Sequence, residues 1–275
     1  MATPTVVLAP ARISRLLFVF LALLALGQVL GLIASYFLGY DDTYGLVSLF
    51  NLDAEHNVPS YFSTCLLLLN AVLFLAVWRA ARAGGRHAVW LLLALVFLFL
   101  SLDEDVALHE RLSIPVRTLF NTSGLLYFAW VIPYLALVAV LAAITLPILM
   151  RQNREIRFGF SLATVLYLTG SVGFEMLSGW YIEGRPDLDF TYGVLALFEE
   201  TLEMAGLIVL THTLLSLLGR EYRGFVFRIP ATNGPGLREL ARAKVAHLEQ
   251  RLRRGSNSSD PPMPKKQMLP PSDRA

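Results

Sequence analysis

One cysteine stands in 275 residues, and because Cys65 lies inside an apolar run, an intrachain disulfide and a thiolate-held zinc are both excluded. Charge is scarce too. Only 16% of residues are charged against 55% hydrophobic, a balance that does not suit a water-solvated core and points to a chain solvated largely by lipid. The net charge of +2 gives nucleic-acid binding no support. Specific catalytic motifs are missing as well: there is no H-E-x-x-H, no Walker loop and no G-x-S-x-G. The interval of five from Glu104 to His109 defeats the Glu-x-x-His pairing of di-iron bundles. Any metal here must be bound by oxygen and imidazole.

What the chain has in quantity is long apolar segments. A hydrocarbon core of about 30 Å needs about 20 helical residues to cross it. Six segments qualify: Ile13 to Leu38, Val58 to Trp78, Ala88 to Leu102, Ser123 to Met150, Phe158 to Ile182 and Phe190 to Leu218. The third is short unless it continues through Asp103, and Pro133 and Pro147 are expected to kink the fourth. The expected fold is all-α, a polytopic helical bundle of six transmembrane helices. Residues 1–12 form a cytoplasmic N-terminus, 13–218 the membrane domain, 219–254 a cytoplasmic segment and 255–275 a disordered Ser, Pro and Lys-rich tail. The first segment is too long for a signal-peptide core and reads as a retained anchor.

Lys and Arg accumulate in cytoplasmic loops. With both termini inside, 20 of the 23 basic residues fall on the cytoplasmic side. Only Arg111, Arg117 and Arg185 remain outside, so this orientation, in a bacterial inner membrane, is the expected one. Within the C-terminal segment, "GLRELARAKVAHLEQRLRR" gathers Leu237, Leu240, Val245, Leu248 and Leu252 on one helical face amid basic residues. That pattern suits a helix lying on anionic lipid.

The acids sort the opposite way, with 15 of 21 on the outer side or in outer membrane halves. Acids in outer loops would be unremarkable, but Glu175, Glu199, Glu200 and Glu203 lie within spans, where each costs about 2.5–3.5 kcal/mol on translocon scales. Protons, arginine, water or a cation must compensate them. Glu199, Glu200 and Glu203 have the i, i+3 and i, i+4 spacing that shares one stripe of a helix. Asp105 and His109 are also i, i+4, whereas Asp103 and Glu110, seven apart, share a different face. Asp53, Glu55 and His56 stand at the outer end of the second span, where Asn57 and Pro59 suit the cap and first turn of a helix.

These groups are expected to wall one outer-facing pocket. Glu175, Glu200 and His109 are the candidate catalytic acid/base residues. Glu199, Glu203, Asp105, His109, His56 and Glu55 are the candidate ligands of a divalent metal, with Fe, Mn, Ca and Zn indistinguishable. His87 and His247 read as solvated, His212 points away from the acids, and Ser63, Thr64 and Asn70 suit helix–helix hydrogen bonds. The expected activity is that of an enzyme acting on a lipid or envelope substrate. A cation- or proton-coupled carrier and a non-catalytic sensor or assembly subunit are the alternatives.

"FNLDAEHNVPSYFS", "SLDEDVALHERL" and "FEETLEMAG", each at the outer end of an apolar segment, together resemble a group of uncharacterised bacterial multi-pass membrane proteins. The resemblance runs from Phe50 to Leu218 and implies a multi-span bundle with no defined reaction. A more distant likeness is to ceramidase-like transmembrane hydrolases, which hold zinc with three histidines and an acid; the H-x-x-x-H of their last span is absent here.

Overall fold

The structure, a computed structural model, describes residues 9–40, 42, 44–81, 88–185 and 187–221. The chain divides into two units, Met1–Val226 and Phe227–Ala275. The second unit lies outside the described residues. So do the expected basic surface helix, the expected disordered tail, His87 and His247.

Among the described residues every regular element is helical: α1 (Pro10–Phe37), α2 (Leu46–Phe50), α3 (Val58–Ala80), α4 (Ala88–Val106), α5 (Leu108–Phe120), α6 (Val131–Leu149), α7 (Arg154–Leu168), α8 (Glu175–Ile182) and α9 (Phe190–Glu221). A π-helical turn, Thr169–Phe174, joins α7 to α8 without a break in the span. The start of α3 is the expected one. Asn57 Oδ1 accepts the Ser60 amide at 3.1 Å while Ser60 Oγ accepts the Asn57 amide at 2.9 Å, and Pro59 occupies the first turn. Asn153 caps α7 in the same manner, accepting from the Ile156 amide at 3.0 Å.

Five of these helical stretches are long and apolar enough to cross a membrane: 10–37, 58–80, 131–149, 154–182 and 190–220. The expected third span, α4, is not among them because its apolar run stops at Leu102 and Asp103, Glu104 and Asp105 follow. Even so, α4 runs antiparallel to α3 along its whole length. Trp90 stacks on Phe74 with ring centroids 6.2 Å apart at one end, and Ser101 Oγ donates to the Thr64 carbonyl at 3.1 Å near the other. The expected kink at Pro133 is absent. The helix begins only at Val131, so Pro133 sits in the first turn, where no intrahelical partner for its nitrogen is required.

α9 is the central post, packed by α1, α3 and α7. Of its most apolar window 56% is buried, against 6% for α6, so α6 stands at the periphery with most of its surface turned to lipid. Hydrophobicity supplies little drive between helices already in hydrocarbon, and close packing and interhelical hydrogen bonds must hold them. Both are present along α9. Asn70 donates to the Leu207 carbonyl at 3.1 Å and accepts from Thr211 Oγ1 at 3.2 Å, the helix–helix role expected of it. Gly206 lets α7 approach so closely that a Cβ there would lie 2.8 Å from the Tyr167 nitrogen and 2.9 Å from the Ala163 oxygen. Toward the Arg79 end, Phe74, Trp90 and Phe160 form an aromatic cluster with Leu214 and Leu217 that closes the bundle with apolar side chains.

Because the atoms facing Gly206 are backbone, Gly206→Ala is expected to destabilise the fold by about 1–3 kcal/mol in detergent-micelle unfolding. Gly219→Ala, with nothing within 4 Å of its added methyl, is expected to be neutral or stabilising. Equal effects at the two positions would contradict the close α7–α9 contact.

Candidate functional site

At the end of the bundle away from Arg79, a cavity of about 590 Å³ is enclosed by the 52–55 loop, the last turns of α4, α5, the first half of α6, the α7–π–α8 span and the first half of α9. Its geometry depends on a chain break the sequence does not announce. Ala107 adopts a left-handed conformation (φ 53°, ψ 47°), ending α4 and starting α5 in a new direction. The turn brings His109 back over Asp103, whose Oδ1 accepts the His109 amide at 2.9 Å and lies 3.4 Å from Nδ1 of its ring. The other oxygen of Asp103 accepts from the Tyr134 hydroxyl at 2.6 Å. The Trp130 ring stands against the imidazole, centroids 4.8 Å apart. Burial opposes a charge on His109, but the hydrogen bond and charge of Asp103 outweigh it, and the ring's pKa is raised.

The intramembrane acids do converge. Glu104, Glu175, Glu199, Glu200 and Glu203 all line this cavity. Trp130 Nε1 donates to Glu175 at 2.7 Å and Ser178 Oγ to Glu199 at 3.3 Å, while Tyr167 and Ser63 lie beside Glu203 and Glu104. The carboxyls of Glu175 and Glu199 are neighbours within the cavity. The π turn serves this meeting. Its additional residue rotates α8 by about 100° relative to its place in an unbroken α-helix, and within it Gly170 has no Cβ, where one would lie 2.6 Å from the Glu199 carbonyl oxygen and 2.7 Å from Glu203 Cγ. Among the described residues Arg117 is the one Lys or Arg on the cavity wall.

Of the residues expected to form the site, Glu175, Glu199, Glu200, Glu203, His109 and Glu55 line the cavity, and Asp105 and His56 do not. Both are exposed. The pairing of Asp105 with His109 assumed one continuous helix, and the left-handed Ala107 between them changes the phase, giving Asp103 that partnership instead. His56 sits at φ 60°, turned out of the loop whose neighbour Glu55 faces in. The separate face expected for Asp103 and Glu110 fails for the same reason, since both are on the wall. Trp130, Tyr134 and Tyr167 were not expected there; aromatic side chains near span ends ordinarily read as interfacial anchors. His212 is away from the cavity, bonded through Nδ1 to Ser14 Oγ at 3.0 Å.

No group of three or more His, Cys, Asp or Glu residues among those described is arranged to hold a metal ion. The donors expected for Fe, Mn, Ca or Zn do not fit one as they stand.

Asp53 receives the Tyr192 hydroxyl at 3.0 Å, tying the loop to α9. Burial raises its pKa, the Tyr192 hydrogen bond opposes this, and Glu175 and Glu110 add repulsion, leaving it at about 6. Glu55 shifts upward through burial and Glu110, offset by His109 and His56. A raised carboxyl favours the folded state while protonated, so its contribution is complete below the ordinary carboxylate range and is lost as pH rises through about 6. Water reaches Asp53 from the cavity and screens part of this. Asp53→Asn, which still accepts from Tyr192, is expected to raise the melting temperature above pH 7 and to lose that advantage near pH 4. An advantage that grew on acidification would contradict this environment.

Helices of membrane-crossing length around an acid-lined cavity define a helical membrane protein whose clustered acids lie at one end of its bundle. Over residues 16–218 the chain matches the family described as Domain of unknown function (DUF8692), and it belongs to that family. No curated protein and no solved structure matches it, so the likeness to ceramidase-like hydrolases gains no support there.

Proposed function

We propose that this protein is an integral membrane enzyme of the bacterial inner membrane, crossing it six times with both termini cytoplasmic, and that it performs acid–base chemistry on a lipid or envelope substrate in its outer-facing cavity. The observation that carries the reading is His109, held through Nδ1 by Asp103 and flanked by Trp130 on the cavity wall. A carboxylate on one ring nitrogen orients the imidazole and leaves Nε2 to take up or deliver a proton. Glu175 and Glu199, neighbouring carboxyls on the same wall, are the second acid–base pair within this space. Support for the sixth crossing is the full-length pairing of α4 with α3, since a helix beside a span occupies the same depth. The sorting of Lys and Arg supports the orientation.

The same cluster of span carboxyls favours a proton-coupled carrier as the second reading. Against it stands the apolar cluster of Phe74, Trp90 and Phe160, which offers a proton or cation no polar path onward.

Incubation of the protein in nanodiscs of bacterial polar lipid, followed by mass spectrometry, is expected to show consumption of a lipid species that His109→Asn slows by roughly 10²–10⁴-fold. Unchanged lipid with the wild type, or equal turnover by the variant, contradicts the enzyme. For topology, Cys65→Ser carrying one new cysteine is expected to react with an impermeant maleimide in intact cells from position 56, and from position 152 only after permeabilisation. The reverse pattern contradicts the orientation.

A further inference from the structure

Ser113 is 6% exposed, and its hydroxyl makes no hydrogen bond. An unsatisfied buried hydroxyl costs about 1–3 kcal/mol, and a helical serine has a ready remedy in the carbonyl one turn back. Ser14, Thr118, Thr145, Ser171, Thr211 and Thr213 all take that remedy. Ser113 does not, and it lines the cavity. Thr64, Thr122 and Thr201 also carry unpartnered hydroxyls, but none of them is on the cavity wall. On α5, Ser113 follows His109 by one turn and precedes Arg117 by one turn, so the three stand in a row whose successive Cβ atoms are about 5–6 Å apart. All three line the cavity. Asp103 holds the first of them and the Tyr127 carbonyl the last, accepting from Arg117 Nε at 2.8 Å.

We propose that Ser113 is a nucleophile for a carboxylic ester carried by a lipid, with His109 its base, Asp103 the residue that orients the base, and Arg117 the cation facing the developing oxyanion. This inference rests on the acid–base reading above and names its substrate class. The Ser113 oxygen bonds to the ester carbonyl carbon as its proton passes to His109 Nε2. The carbon–oxygen bond to the alcohol then breaks, and the alcohol leaves with that proton. Water, giving a proton to His109, attacks the acyl-serine; a carboxylic acid departs and the proton returns to Ser113. The lipid character comes from the rest of the cavity. Below the polar groups its wall is Val96, Leu100, Leu137, Val138, Leu141 and Leu168, a lining for an acyl chain. The scant burial of α6 leaves that wall next to lipid. α5 turns Leu119 and Phe120 outward, 76% and 59% exposed, as a helix at the acyl boundary does. The clustered carboxyls repel anionic headgroups, so the preferred ester has an uncharged or cationic one.

A hexadecyl fluorophosphonate, which phosphorylates activated serines, tests this on the full chain in nanodiscs. The expected result is one adduct on the peptide carrying Ser113, absent from Ser113→Ala and formed at least roughly 10²-fold more slowly in His109→Asn. Diacylglycerol in phosphatidylcholine vesicles is expected to release fatty acid faster than phosphatidylglycerol does. Absence of an adduct from wild type that elutes as a folded, monodisperse species overturns the proposal, as does an adduct that survives in Ser113→Ala. If lipid consumption still depends on His109 in that case, the acid–base reading stands while the serine nucleophile falls.

Discussion

Asp103 joins three helices with one carboxylate. It stands in the last turn of α4, receives the backbone and faces the ring of His109 on α5, and accepts the hydroxyl of Tyr134 on α6. It is 3% exposed, and a buried charge of this kind persists only where partners replace the water it has lost. The consequence is felt most at α6, which has little packing of its own. The Tyr134 contact joins the Trp130–Glu175 hydrogen bond and the buried Val131 in holding the first half of α6 at the cavity wall. The cavity is therefore an outcome of satisfying one acid, and the position of His109 is part of the same settlement.

The remaining acids obey a related logic with a different remedy. Glu175, Glu199, Glu200, Glu203 and Glu104 meet in a space whose wall offers one arginine among the described residues. Hydroxyls and an indole N–H take the place of counter-charges. The apolar cluster on the Arg79 side closes the bundle beyond them.

Much of the architecture is legible in the amino-acid order, since apolar length, the opposed sorting of acids and bases, and the Asn57–Ser60 cap are local signals. Convergence of the span acids could also be anticipated, because four carboxyls in hydrocarbon need a common solution. The partnerships within the site were not legible, and one residue explains most of that. Alanine rarely takes a positive φ, so nothing in "DEDVALHER" announces the turn at Ala107, and helical periodicity carried across it assigns His109 to Asp105. A glycine or asparagine there would have given warning. Gly170 and Gly173 mark a weak point in the fifth span without revealing a π turn. Ser113 is inconspicuous for a different reason: a serine on a helix ordinarily bonds its own backbone, and only the structure shows one that does not.

The most direct test of the account is a double-mutant cycle on Asp103→Asn and Tyr134→Phe, read by equilibrium unfolding in mixed micelles. The account predicts that the two changes are non-additive, with a coupling of about 1 kcal/mol or more, as for a hydrogen bond to a charged group. Additive effects would mean that Asp103 does not hold α6 at the cavity, and would contradict the arrangement on which His109 depends.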